Sequence, residues 1–148
     1  MRIVIQRVLQ AAVQVDGFVL GKIEKGLVVL IGVTITDGEE DARHLAHKTV
    51  NMRIFEDKQG RLNLSALDIE AEILVVSQFT LYADCRRGRR PSFTAAAPSN
   101  FSEVLVQKYI DFLEESGLKV QSGRFGAHML VEICNDGPVT IMLDSDEK

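Results

Sequence analysis

Arg2-Ile3-Val4-Ile5-Gln6-Arg7-Val8-Leu9-Gln10-Ala11-Ala12-Val13-Gln14-Val15 is rich in valine, isoleucine and glutamine, and Asp16-Gly17 follows it before Phe18-Val19-Leu20. Branched side chains fit a pleated surface, and Asp-Gly tolerates the positive φ angles of a tight hairpin turn. The stretch therefore predicts a strand, a two-residue turn and a returning strand. Lys25-Gly26 then punctuates a buried-looking run from Leu27 to Val33, too short and too β-branched to prefer a helix. Glu72-Ile73-Leu74-Val75-Val76-Ser77-Gln78-Phe79-Thr80-Leu81 reads as another buried strand. Two closing strands are expected at about His128 to Cys134 and Val139 to Leu143, joined by an Asn135-Asp136-Gly137-Pro138 turn.

Two segments break this β pattern with helical periodicity. In the first, Asp37 is a candidate cap with Glu40 three residues later, and Ala42, Leu45, Ala46, Thr49 and Val50 recur on one face. The second begins near Pro98-Ser99-Asn100, with Asn100 and Glu103 as a cap pair. Its apolar stripe is Phe101, Val104, Leu105, Tyr109, Phe112 and Leu113, and Gly117 stops it where a left-handed backbone is wanted. The stripe is core rather than a cofactor site. The expected architecture is α+β: a curved, largely antiparallel, barrel-like β-sheet system with two main helices packed on it.

The length of 148 residues suits a single domain, 1–148, and a hydrophobic content of 46% is enough for a core without disulfides or metal. Cys85 and Cys134 stand far apart in unlike contexts, so a reducing compartment is expected. Arg7 interrupts any signal-like apolar run, and no stretch approaches the roughly 20 apolar residues of a membrane span. The expectation is a soluble, cytoplasmic protein.

A net charge of −4 argues against broad, sequence-blind binding of nucleic acid. One local exception is Arg86, Arg87, Arg89 and Arg90, crowded around Gly88, while Asp144, Asp146 and Glu147 crowd the tail. A short basic patch on an acidic body suits capture of a phosphate or an RNA end. The same charges also suit a plain solvated loop.

No Gly-x-Ser-x-Gly elbow, Walker loop, His-Glu-x-x-His or Cys-x-x-Cys occurs, and none of the three histidines has an evident Ser or Cys partner. His44 and His47 share the first helix at a spacing open to a metal, but no third ligand accompanies them, so no metal and no cofactor are expected. What remains are two polar interruptions. Ser77-Gln78-Phe79-Thr80 follows directly on apolar Ile73-Leu74-Val75-Val76. Buried polar groups there need partners, since leaving one unpaired costs about 1–3 kcal/mol; a ligand or nearby backbone would serve equally. The second is Asn135-Asp136-Gly137-Pro138-Val139-Thr140, ordinary turn chemistry apart from a Gly-Pro bond that has a low unaided prior of being cis.

Together these segments resemble the D-aminoacyl-tRNA deacylase family. The match runs through Ser77-Gln78-Phe79-Thr80-Leu81-Tyr82-Ala83 and Asn135-Asp136-Gly137-Pro138-Val139-Thr140. It extends to Arg53-Ile54-Phe55-Glu56-Asp57, Arg90-Pro91-Ser92-Phe93-Thr94, Gly126-Ala127-His128-Met129 and the opening residues up to Gly21. The resemblance covers essentially the whole chain; each motif is weak alone, and their order and spacing are specific together. It implies a homodimer that hydrolyses the ester between a D-amino acid and the terminal adenosine of tRNA. It further implies a cis Gly-Pro unit that enters the active site of the opposite subunit. Carried onto this chain, Gly137 and Pro138 form the chirality gate, Ser77, Gln78, Phe79 and Thr80 line the receiving pocket, and Met129 borders the amino-acid site.

A cis Gly-Pro unit can aim two adjacent carbonyls one way, as acceptors for an ammonium group. With ammonium and ester both fixed, a wall on the L side rejects by collision and ignores side-chain identity. Glycyl-tRNA should then pass as well. For the chemical step, Thr80 is a candidate nucleophile without a sequence-adjacent base. The alternative, which the missing base favours, is assistance by the ribose hydroxyl beside the ester, with backbone N–H groups near Phe79 and Thr80 stabilising the oxyanion. A non-catalytic RNA-end binder using Arg86, Arg87, Arg89 and Arg90 is the reading from a different class.

Overall fold

The computed structural model describes residues 1–147. Strand β1 (Arg2–Val15) is the spine of the sheet. The Asp16-Gly17 turn, both residues at positive φ, returns the chain as β2 (Phe18–Ile23), as the Asp-Gly signal implies. β3 (Gly26–Gly32) then runs antiparallel to the first half of β1 while β2 pairs with its second half. Helix α1 (Glu39–Asn51) and a small hairpin of β4 (Phe55–Glu56) and β5 (Leu62–Leu64) lead to β6 (Glu72–Ser77). A single 3-10 turn (Phe79–Tyr82), helix α2 (Ser99–Glu114), β7 (Val120–Ser122) and β8 (Leu130–Asp144) complete the chain.

The main sheet has the order β2-β1-β3-β6-β7, and β8 lies on the other edge of β1. Pairs made by β1 are antiparallel; β3–β6 and β6–β7 are parallel, so the sheet is mixed. At its far ends β2 comes against β6 and β7, with Gly21 seated on Leu74 and Gln121, and the sheet is nearly closed into a barrel. This curvature explains why β3 and β6 lack alternation. Leu27, Val29, Ile73 and Val75 face the helices, whereas Val28, Leu74 and Val76 face the inside of the curl. A strand buried on both faces reads as one continuous apolar run.

Both helices pack on the outer face through the residues their periodicity indicates. Ala42, Leu45, Ala46, Thr49 and Val50 of α1 are buried, as are Leu105, Tyr109 and Leu113 of α2. Val104 departs from the expected stripe and is 60% exposed, while Ser102, Val106 and Ile110 take the inward positions. The expected caps also differ. Helix α1 begins one residue later than Asp37 implies, with Asp41 accepting the Gly38 N–H at 2.8 Å. Asp37 is occupied elsewhere, accepting the Thr34 N–H and binding the Met1 amino group. Helix α2 starts after Pro98 without a side-chain cap, so Asn100 and Glu103 are not its cap pair. Gly117 sits at φ +82° just past α2, as expected.

Two strand expectations are corrected. The run Glu72–Leu81 stays extended only to Ser77, because Phe79–Tyr82 coils into the 3-10 turn. The Asn135–Pro138 segment is no hairpin turn: β8 continues through it, paired with β1 on both sides. Long-range pairing with β1 overrides local turn chemistry there.

The two helices meet through a buried hydrogen bond, Thr49 Oγ1 to the Tyr109 hydroxyl at 2.8 Å, with both residues fully buried. Thr49→Val leaves that phenol without a partner and is expected to cost about 1–3 kcal/mol in urea unfolding. Adding Tyr109→Phe should recover most of the loss. Equal stability of Thr49→Val and the parent would contradict this role.

Candidate active site

Apolar β6 turns polar at its end, and that change places the site. Ser77 is half-buried, and the Gln78 N–H donates to the Ile31 carbonyl at 2.7 Å as the last rung beside β3. The 3-10 turn then closes with Leu81 N–H to Gln78 C=O at 3.2 Å and Ala83 N–H to Thr80 C=O at 3.0 Å. The Phe79 and Thr80 amides precede the first of these bonds, so the turn does not consume them. Both residues are exposed. Thr80 Oγ1 accepts a hydrogen bond from the Gln78 side-chain amide. An amide N–H is a donor and offers the hydroxyl no base.

Two residues remote in sequence seat this turn. A Cβ at Gly32 would lie 2.9 Å from the Gln78 carbonyl oxygen and 3.1 Å from Leu81 Cβ, so only glycine lets β3 approach so closely. Arg2 donates to the Leu81 carbonyl at 2.8 Å, pairs with Asp144 at 2.9 Å, and lies 4.8 Å above the Tyr82 ring. The Tyr82 hydroxyl is buried without a protein partner. Burial, and then the charges of Asp37 and Asp144, push its phenol well above the usual range and keep it neutral.

Beside the turn opens a cavity of about 590 Å³. Its walls are the ends of β3 and β6, Phe93, the segment entering α2 with Ser102 and Val106, and the stretch Phe125 to Met129. Ser77, Gln78, Phe79 and Met129 all line it, so four residues singled out in the sequence converge. Thr80 stands just beyond this lining. Phe93 and His128 also line the cavity and lie in segments that carry the family resemblance, whereas Gly32 and Phe125 gave no local signal.

The Gly137-Pro138 unit lies elsewhere on the chain, and neither residue lines the cavity. Between the pairs Gln6↔Thr140 and Val8↔Asn135, β1 has one residue, Arg7, and β8 has four, 136 to 139. The excess bulges out of the sheet, with Gly137 and Pro138 exposed and their peptide bond cis. Gly137 has φ +124°, and a Cβ there would come within 3.1 Å of the Arg7 guanidinium. Arg7 itself is 4% exposed. It donates to the Ile54 carbonyl at 2.8 Å and the Asp136 carbonyl at 3.1 Å, and its Nε lies 3.2 Å from the Asp136 carboxylate. One buried fork thus holds the bulge.

The arginine cluster occupies an exposed loop, and among the described residues Arg86 alone of its four arginines is ion-paired, to Asp84 at 2.7 Å. His44 is half-buried and His47 exposed on α1. Among the described residues no group of three or more His, Cys, Asp or Glu side chains is placed to hold a metal ion. Nor, among the described residues, is any helix long and apolar enough to cross a membrane.

A family model described as D-Tyr-tRNA(Tyr) deacylase matches residues 4–144. The D-aminoacyl-tRNA deacylase of Halothermothrix orenii is 55% identical over 148 residues, covering 100% of this chain and 99% of that protein. The protein of the same name from Thermosipho africanus is 54% identical over 145 residues, with 98% and 97% covered. Among solved structures, one titled c-Myc DNA Unwinding Element Binding Protein superposes with a TM-score of 0.91 at 38% identity, covering 97% of this chain and 98% of that one. A probable eukaryotic D-amino acid tRNA deacylase superposes with a TM-score of 0.84 at 19% identity, covering 96% and 97%, a likeness of fold.

The role of Arg7 is directly measurable. Arg7→Gln is expected to accelerate amide hydrogen exchange at Asp136, Gly137 and Val139 while the β1–β3 ladder stays protected. Unchanged exchange across the bulge would mean that the sheet alone fixes its shape.

Proposed function

The chain belongs to the D-aminoacyl-tRNA deacylase family and hydrolyses the aminoacyl-tRNA ester; from that premise we propose that it does so as a cytoplasmic homodimer whose cavity is completed by the partner's Gly137-Pro138 unit. The observation that carries this reading is the separation of the two parts. A half-open cavity and a rigidly held, exposed bulge belong to one chain without meeting in it. A second copy offers each part its counterpart. The dimer is further supported by β8, which pairs with β1 along one edge, and by exposed Leu130 and Met142 on that strand, 59% and 67% accessible. An edge strand with apolar side chains in water is a liability unless a partner covers it.

In the proposed complex the terminal aminoacyl-adenosine of tRNA enters the cavity among Ser77, Gln78, Phe79 and Met129. The partner's Gly137 and Pro138 bind the substrate ammonium and wall off the side where an L side chain would project. Water adds to the ester carbonyl, the bond to the ribose oxygen breaks, and that oxygen leaves with a proton. Phe79 and Thr80 supply amides to the oxyanion, which is consistent with neither amide being needed by the 3-10 turn. The neighbouring ribose hydroxyl assists the proton movements; in support, the partner of Thr80 Oγ1 among the described residues is the Gln78 amide, a donor and no base. Exposed Arg87, Arg89 and Arg90, with Arg86 on the loop's stem, meet the RNA backbone.

Selection by exclusion has a sharp consequence for glycine. Its α-carbon carries hydrogen on both sides, and a missing methyl contact is worth only about 1–3 kcal/mol in a pocket. Glycyl-tRNA should therefore be deacylated along with D-alanyl-tRNA, while L-alanyl-tRNA survives. Side-by-side hydrolysis of the three esters tests this. Survival of glycyl-tRNA alongside L-alanyl-tRNA would mean positive recognition of D side chains, and protection of all three would favour an RNA-end binder.

The chemical step has its own test. Thr80→Ala should retain appreciable deacylation, whereas removing the ribose hydroxyl beside the ester should lower kcat severely. Complete loss in Thr80→Ala with a trapped acyl-threonine would establish covalent catalysis instead.

A further inference from the structure

The arginine loop is a built element. Asp84 and Ser92 exchange both backbone hydrogen bonds, at 2.7 and 2.9 Å, and so close its base. Asp84 also takes the Arg86 guanidinium on both carboxylate oxygens, at 2.8 and 2.7 Å. The Arg86 hydrogen bonds hold the Asp84 carboxyl well below the usual carboxylate range, so this stem stays ionised at neutral pH and is lost only in acid. Arg86 is thereby spent on the stem. Arg87, Arg89 and Arg90 are exposed and, among the described residues, make no ion pair.

Phe93 follows the closing residue directly. Its ring meets that of Phe79 edge-on, with centroids 5.1 Å apart and planes at 70°. The two rings are 37% and 57% exposed at the mouth of the cavity. A lone exposed phenylalanine needs no explanation. Two in contact, on the rim of a substrate cavity and at the foot of a loop with three unpaired cations, form a different kind of surface. Aromatic faces beside guanidinium groups are what unpaired nucleotides bind, by stacking and by phosphate contact. A duplex would ask for a broad basic face, which a net charge of −4 with one short basic loop does not supply.

We propose that Phe93, packed on Phe79, is a stacking platform for the unpaired nucleotide preceding the terminal adenosine, with Arg87, Arg89 and Arg90 neutralising the phosphates on either side. The proposal rests on the reading of the cavity as the aminoacyl-adenosine site and extends it outward along the RNA. The platform holds the strand while the cavity holds its end, so its contribution belongs to long substrates.

The test compares D-alanyl-tRNA with D-alanyl-adenosine, which lacks every preceding nucleotide. For Phe93→Leu, kcat/KM on the tRNA should fall by about tenfold, mostly through KM, and by at least about fivefold more than on the short ester. Neutralising Arg87, Arg89 and Arg90 with glutamine should raise KM for the tRNA and flatten its salt dependence. Uncharged tRNA carrying 2-aminopurine before the terminal adenosine should be quenched on binding the parent protein, and much less on binding Phe93→Leu. Equal losses on both esters would assign Phe93 to the adenosine pocket and overturn the platform; so would undiminished quenching in the variant. If the parent hydrolysed neither ester, the deacylase reading would fail. The quench needs no catalysis and would still decide the platform.

Discussion

The backbone ladder of β1 is the constraint on which everything else hangs. One edge of this strand pairs with β8 from Arg2 to Gln14; the other is shared between β3 and β2. Pairing before and after the break fixes where β8 must run, so surplus residues in β8 have to leave the sheet. They leave opposite Arg7, whose buried guanidinium binds the carbonyls of Ile54 and Asp136. A second irregularity near Leu9 shifts the alternation of β1. Ile3 and Ile5 consequently serve the core under the helices, while Val8, Ala11 and Val13 fill the inside of the curl. One strand thereby builds both cores and holds the bulge that carries Gly137 and Pro138.

The 3-10 turn depends on the same strand less directly. Arg2, at the start of β1, ties the Leu81 carbonyl to Asp144 at the end of β8. Gly32, at the end of β3, makes room for the turn to sit against the sheet. The proposed chemistry correspondingly relies on backbone groups held in place. Among the described residues that line the cavity there are no paired carboxylates. That suits an ester already prone to hydrolysis, where orientation, exclusion and oxyanion stabilisation carry the work.

Much of this was legible in the residues. Alternation and the Asp16-Gly17 turn marked the opening hairpin, and the two helical stripes marked α1 and α2 apart from exposed Val104. The polar break after Val76 coincides with one wall of the cavity. What the sequence hid was long-range. Asn135-Asp136-Gly137-Pro138 has the composition of a turn, and only its pairing partner reveals a bulge in a continuous strand. Phe79 to Leu81 reads as a prolongation of the strand, yet the chain coils there, where Gly32 leaves room for the turn and Arg2 holds the Leu81 carbonyl. The parallel pairing of β3 with β6 and of β6 with β7 leaves no local trace, and Phe125 reaches the cavity through tertiary packing alone.

In the proposed dimer one copy's cavity is completed by the other copy's bulge. A crystal structure of the protein with a non-hydrolysable amide analogue of D-alanyl-adenosine tests this most directly. Two copies are expected, with each adenosine in the cavity beside Ser77 and Phe79. The ligand's ammonium should lie within about 3 Å of the partner's Gly137 and Pro138 carbonyls. A ligand bound fully within a single copy, with Gly137 and Pro138 remote from it, would rule out the shared site.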